Sequence, residues 1–231
     1  MLQLRSKETL DHGDRGWLKA RHHFVVSADG NKANSALGAL VVWNDDEIAP
    51  GMGFGRHSHA DMEIVTYVQQ GAVTHEDSTG NVGRTVAGDV QVMSAGTGIS
   101  HSEYNRDEDP LKLFQIWLLP RRRGGMPRWD TRKFPKADRA GRLIELASGE
   151  PEDADTPLIR ADARVLGATL LAGATLTHAP THRHAYLAPS QGAILVNGQR
   201  VAVGDGIAAI DEPELTITAE ENAEFILVDT A

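Results

Sequence analysis

The sequence predicts an all-β protein made of two related sandwich- or barrel-type domains, and three observations predict it. Helical periodicity is scarce, while short runs rich in Val, Ile, Thr and aromatic residues recur between Gly, Asn and Asp. A hairpin unit occurs twice along the chain. The 231 residues are enough for two small domains, each with a core of its own.

The strand-like runs come in order. Ala39 to Trp43, Glu63 to Val68, Val90 to Met93 and Leu113 to Leu118 lie in the first half. Ala193 to Val196 and Phe225 to Val228 lie in the second. Thr79-Gly80-Asn81 separates Val73-Thr74-His75 from Val82 and reads as a hairpin turn. Asn197-Gly198 is a stronger signal, because both residues tolerate the positive φ that a type I′ turn demands. In the repeat, Gly71-Ala72-Val73 leads through a hairpin to Ala87-Gly88-Asp89. Gly192-Ala193-Ile194 leads likewise to Val203-Gly204-Asp205-Gly206. The boundary is expected in the basic, Pro- and Gly-containing stretch near residues 120–140. That divides the chain into domains 1–133 and 134–231. SGEPEDADTP, from Ser148 to Pro157, reads as an exposed acidic loop.

Composition removes whole classes of chemistry. With no cysteine, disulfides, Cys-based zinc sites, iron–sulfur clusters and thiol catalysis are excluded. No apolar run reaches the roughly 18 residues of a membrane span. MLQLRSKETLDHGD lacks the apolar centre of a signal peptide, so the cytoplasm is the expected location. A net charge of −9 disfavours direct binding to nucleic acid. The charge is uneven, since residues 121–142 hold nine Arg/Lys against two Asp. This segment is read as a solvated connector that pairs with the acidic halves, the alternative being an anion- or partner-binding face.

The residues that carry chemistry are histidines and one glutamate. His57-Ser58-His59 and His101-Ser102-Glu103 each place two ligands at i and i+2, on one face of a strand. Two such pairs on facing strands supply three neutral nitrogens and a carboxylate. That donor set suits Fe(II), Mn(II), Co(II), Ni(II), Cu(II) or Zn(II). In an octahedral ion it leaves two adjacent positions for a substrate and O₂, or for a chelating substrate alone.

The family is visible in two runs. Gly53-Phe54-Gly55-Arg56-His57-Ser58-His59-Ala60-Asp61-Met62-Glu63-Ile64 resembles the first cupin motif. Gly88-Asp89 through Ser94-Ala95-Gly96-Thr97-Gly98-Ile99-Ser100-His101-Ser102-Glu103-Tyr104-Asn105 resembles the second. With Trp17, His22-His23-Phe24 and His75-Glu76-Asp77-Ser78, the chain resembles a bacterial pirin, closely over residues 10–120 and in outline beyond. The resemblance implies a bicupin whose N-terminal domain holds one divalent metal, usually iron, on His57, His59, His101 and Glu103. Ordinary cupins use the motif-one glutamate instead. Here that is Glu63, which shares the strand parity of the ligands, so it competes as ligand or as a hydrogen-bond partner of a ligand histidine.

The other histidines are expected to be bystanders. His182-Arg183-His184 repeats the ligand spacing, but no histidine follows to complete a site. His75, on the hairpin strand, either lines the pocket or is an ordinary strand residue, the second being preferred; His12 is read as exposed, and at most one of His22 and His23 as inward-facing. Trp17, Trp43 and Trp117 are expected in the core. Two functions follow from the resemblance. The first is a quercetinase-like dioxygenase that opens a flavonol such as quercetin with O₂, with Glu103 also acting as general base. The second is a non-enzymatic regulator that binds a protein partner according to metal state.

Overall fold

The computed structural model describes residues 1–26, 30–134, 139–153 and 155–231. In the first half, strands cover Leu2–Arg5 (β1), Asp11–Asp14 (β2), Leu18–His22 (β3), Leu40–Ile48 (β4), Gly53–His59 (β5), Glu63–Gln70 (β6), Ala72–Asp77 (β7), Val82–Val86 (β8), Val90–Ser94 (β9), Ile99–Tyr104 (β10), Leu111–Leu118 (β11) and Arg128–Arg132 (β12). The second half continues with Ile144–Ser148 (β13), Ala163–Leu170 (β14), Thr175–His178 (β15), His184–Gln191 (β16), Ala193–Val196 (β17), Gln199–Ala202 (β18), Gly206–Ile210 (β19), Leu215–Ala219 (β20) and Ala223–Thr230 (β21). A 3₁₀ turn covers Lys32–Asn34. The all-β, two-barrel expectation holds.

Each half is a large sheet closed by a small one. The first pairs a seven-stranded sheet, β12-β9-β6-β11-β4-β3-β2, with a four-stranded sheet, β5-β10-β7-β8. The second pairs a six-stranded sheet, β1-β19-β16-β21-β14-β13, with a four-stranded sheet, β15-β20-β17-β18. The two large sheets pack back to back. Trp43, Val65, Tyr67, Val92, Phe114 and Ile116 of one meet Tyr186, Ala188, Ile226 and Val228 of the other in a single buried cluster.

This layering explains the sequence of the central strands. On β11, Leu111 and Leu113 enter the first barrel, while Phe114, Ile116 and Leu118 face the second half. A strand buried on both sides reads as a continuous apolar run rather than an alternation. On β6, Val65 and Tyr67 face the second half, and Ile64 and Val68 face the barrel.

The hairpin repeat is visible in the backbone. β7–β8 and β17–β18 are antiparallel hairpins. They begin after Gly71 (φ 75) and Gly192 (φ 73) and end at Gly88 (φ 91) and Gly204 (φ 89). Asn197 (φ 46) and Gly198 (φ 84) both adopt the left-handed conformation anticipated for the second turn.

Three sequence readings need adjustment. Leu2–Arg5 does not pair within the first half: β1 joins the second half's sheet along β19, although a division at residue 133 assigns it to the first. The basic stretch is exposed at Arg121 to Arg123, and Arg121 pairs with Glu150 and Asp162 as a solvated connector would, but Arg139 is fully buried, bonding Tyr67 Oη and the Gly88 carbonyl. Residues 135–138 of that stretch lie outside the described residues. The acidic segment is anchored at its start, where Ser148 is buried and bonds Asp153, and Asp153 in turn pairs with Arg164.

Candidate metal centre

The two ligand pairs sit on neighbouring strands of the small sheet in the first barrel. β5 and β10 run antiparallel with His101 directly opposite His57. An irregularity between His101 and Glu103 then sets Glu103 opposite Phe54. On its other side β10 meets β7, with Glu103 opposite His75 and His101 opposite Asp77.

The side chains converge. One ring nitrogen from each of His57, His59 and His101 lies within 4.8 Å of the others. Their ring centroids are 4.4 to 5.1 Å apart. His57 Nδ1 donates to the Gly55 carbonyl at 2.8 Å, which leaves its Nε2 as a bare lone pair. His101 is buried, and neither of its nitrogens has a hydrogen-bond partner. Burial first, and then neighbouring His57, lowers the His101 pKa to about 3 and that of His59 to about 4. Neutral imidazoles with unused, partly desolvated lone pairs are the donor set that a divalent transition ion fits.

Glu103 lines the same cavity from deeper in the barrel. One carboxylate oxygen groups within 4.8 Å of His101 and of His75, rather than with His57 and His59. Both oxygens are held by amides, Oε1 by Gln91 Nε2 at 2.5 Å and Oε2 by Gln115 Nε2 at 2.9 Å. Thr66 Oγ1 donates to Gln115 and accepts from Gln91, which orients the two amides. Burial raises the Glu103 pKa to about 7 against these hydrogen bonds, which favour the charged form. The cavity is small, about 80 Å³, and its walls include Phe54, Ile64 and Trp117.

Glu63 is elsewhere. It shares the parity of Val65 and Tyr67, and it accepts from Ser94 Oγ at 2.6 Å and the Arg160 backbone N–H at 3.0 Å. Counting parity from His59 fails because Asp61, at φ 52, breaks the chain between β5 and β6. Trp117 also departs from expectation. It meets His59 edge-on at 4.9 Å as part of the cavity wall, whereas Trp43 is in the core as anticipated. His75 is not a plain strand residue, for it is buried beside His101. His12 is exposed, and His23 faces inward to Tyr186 Oη at 2.8 Å. Sequence reading missed Gln91, Gln115 and Asp46. Gln91 and Gln115 are polar residues inside strands that are otherwise largely buried, the signal that could have flagged them, whereas Asp46 sits in the polar run Asn44 to Glu47 and carries no such signal. Asp46 lines the cavity with its pKa raised to about 8, by burial and then by Asp45 and Glu103.

Among the described residues, the second barrel has no counterpart to this site. Leu166, Leu187, Ile194, Val196, Ile217 and Leu227 fill it. His178 and His182 flank Asp229, which also accepts backbone N–H groups from Thr181 and His182.

Comparison with known proteins agrees with this geometry. A family model described as Pirin matches residues 3–118, and one described as Quercetinase C-terminal cupin domain matches residues 146–230. The chain is 53% identical over 232 residues to a Pirin-like protein of Caulobacter vibrioides, covering 100% of both. It is 37% identical over 232 residues to a Quercetin 2,3-dioxygenase of Escherichia coli K12, covering 99% of this chain and 98% of the relative. It superposes on YhhW from Escherichia coli with a TM-score of 0.94 at 36% identity, covering 100% of this chain and 98% of that one. A structure of bacterial pirin YhhW in complex with nickel(II) gives a TM-score of 0.91 at 34% identity, with 100% and 99% covered. Among the described residues, no helix is long and apolar enough to cross a membrane.

Proposed function

This chain belongs to the pirin family, and from that premise we propose that it is a metal-dependent dioxygenase acting on a flavonol-like aromatic substrate such as quercetin. The metal is held by His57, His59 and His101, with Glu103 as the fourth ligand. The observation that carries the reading is the convergence of three imidazoles, with one nitrogen of each within 4.8 Å of the others and both His101 nitrogens buried and unbonded, on a cavity that also contains an amide-held carboxylate. Relatives named quercetin 2,3-dioxygenase support the reaction class. The ion, when bound, supplies Lewis acidity towards a substrate hydroxyl and a partner for O₂.

The chain's own residues do the rest. Phe54, Ile64 and Trp117 form apolar and aromatic walls against which a flat ring system packs. A cavity of about 80 Å³ admits only the reacting edge, so the remainder of the substrate lies across the mouth, beside the partly exposed His57 and His59. Glu103 is the carboxylate on the cavity that accepts the proton of the hydroxyl that enters. Gln91 and Gln115 hold the carboxylate in place, one amide to each oxygen.

The test is loss of the flavonol absorbance band under air, with protein loaded in turn with iron, nickel, cobalt, copper or manganese. Turnover is expected with at least one metal, and its loss in Glu103→Gln while the metal stays bound. Full activity in that variant refutes the base role. No turnover with any metal refutes the enzyme reading and favours a non-enzymatic, partner-binding role.

A further inference from the structure

His75 is buried on β7, and no step above uses it. Its Nε2 lies 3.0 Å from Asp77 Oδ2, so Nε2 carries the proton and donates it. Asp77 is itself heavily anchored. Its oxygens also accept from the Thr79 N–H and hydroxyl and from the Asn81 backbone and side-chain amides, at 2.7 to 3.1 Å. The imidazole lies flat on the Trp129 indole, with centroids 4.9 Å apart and planes 9° apart. Trp129 reaches this position because residue 83 is glycine: a Cβ there would overlap the indole. Strands β7, β8 and β12 thus cooperate to hold one ring.

What they hold is a ring with one free nitrogen. His75 Nδ1 is buried without a hydrogen-bond partner. His101 is its neighbour, at 5.3 Å between ring centroids, and has the complementary need. When one His101 nitrogen serves a metal, the other is an N–H, and among the described residues neither nitrogen makes a hydrogen bond, so His75 and His101 meet as rings in contact rather than as a bonded pair. A ligand imidazole almost always gives that second N–H to a defined partner. Glu103 also lies within 4.8 Å, but its oxygens already take Gln91 and Gln115.

We propose that His75 is a positioning residue of the metal centre, accepting the non-ligating N–H of His101 on Nδ1, with Asp77 fixing the tautomer that makes Nδ1 an acceptor. The proposal rests on the metal reading above. It implies that Asp77, which is not among the proposed ligands, matters to the metal. In Asp77→Asn an amide NH₂ can face His75, the ring can take its other tautomer, and a donor then opposes a donor at His101.

Co(II) alone, titrated into full-length apoprotein, tests this through visible d–d absorption and chelator competition. His75→Phe keeps the stack on Trp129 and is expected to weaken Co(II) binding about tenfold to a hundredfold and to shift the bands. Asp77→Asn is expected to weaken binding in the same direction, and to add nothing in the His75→Phe background. His75→Gln, whose side-chain oxygen can accept, recovers most of the affinity. Wild-type affinity and spectrum in His75→Phe overturn the proposal, as does an Asp77→Asn effect that persists undiminished beside His75→Phe. Should His75→Phe fail to fold, Asp77→Asn decides alone, and an unchanged affinity and spectrum there overturn the proposal. Wild-type protein that binds no Co(II) overturns the metal reading itself.

Discussion

Glu103 is a carboxyl whose ionisation depends on two amides. Burial drives its pKa up to about 7, and the Gln91 and Gln115 donors work against that rise. Replacing Gln91 with Leu removes a bond to the charged form, so the pKa climbs further. A carboxyl must ionise to ligate, so the pH of half-maximal Ni(II) uptake in Gln91→Leu is expected to rise by about one unit. Equilibrium dialysis across pH 5 to 9 measures it, and an unmoved midpoint contradicts the role given to Gln91. His23 makes a different prediction, about stability. Burial first, with Arg21, Arg5 and His22 adding, lowers its pKa to about 3 from an ordinary 6.5. The unfolded chain therefore takes the proton first. The stability contributed by neutral His23 is complete above pH 6.5 and is lost as pH falls towards 3, by up to about 1.4 kcal/mol per pH unit. Urea titrations of His23→Gln between pH 6 and 4 should show a shallower fall than the unmodified protein. Equal slopes would mean that His23 is not the group responsible. At this scale the gathering of His57, His59 and His101 was legible because i, i+2 spacing on a strand is local. His75 was not: its burial, its stack on Trp129 and its free nitrogen come from β10, β12 and the β7–β8 turn, and the sequence around residue 75 records none of them.

The hairpins show how far local rules reach. Asn197 and Gly198 turn β17 into β18 with both residues at positive φ, and no atom lies near the missing Cβ of Gly198. Gly198→Ala therefore meets backbone strain and no clash, with an expected loss of about 1–2 kcal/mol and of roughly 2–8 °C in melting temperature. A drop beyond about 10 °C in calorimetry would mean that the turn holds more than its own hairpin. Turns and flanking glycines were readable because their cause is contained in a few residues. The orientation of Glu63 was not, because a single residue at φ 52 resets the alternation between β5 and β6. Nor was the pairing of β1, since an edge strand of four residues chooses a partner far along the chain.

For the whole molecule, the dominant feature is that the two halves share a core. Trp43, Phe114, Tyr186 and Ile226 belong to one buried cluster, so neither large sheet covers its own back. β1 adds a second tie. Residues 2–5 pair with residues 206–209, and buried Arg5 bonds the carbonyls of His23 and Ser35 while lying 4.2 Å over the Phe24 ring. Removing residues 1–5 strips this tie and opens the edge of β19. The expected loss is about 2–4 kcal/mol, with more light scattering as protein concentration rises. Differential scanning calorimetry and static scattering check both, and an unaltered melting temperature would mean that β1 is ornamental to stability.

β1 also sets the order in which the chain can be completed during synthesis. β1 precedes the other strands described above and waits for a partner about 200 residues later. The middle of the sheet it must join is β21, residues 223–230, which follows all of them. Until then the back of the first barrel, with Trp43 and Phe114, is only partly covered. A ribosome stalled near residue 200 would therefore present a sticky, half-made protein, and chaperones should be recruited at that stage rather than earlier.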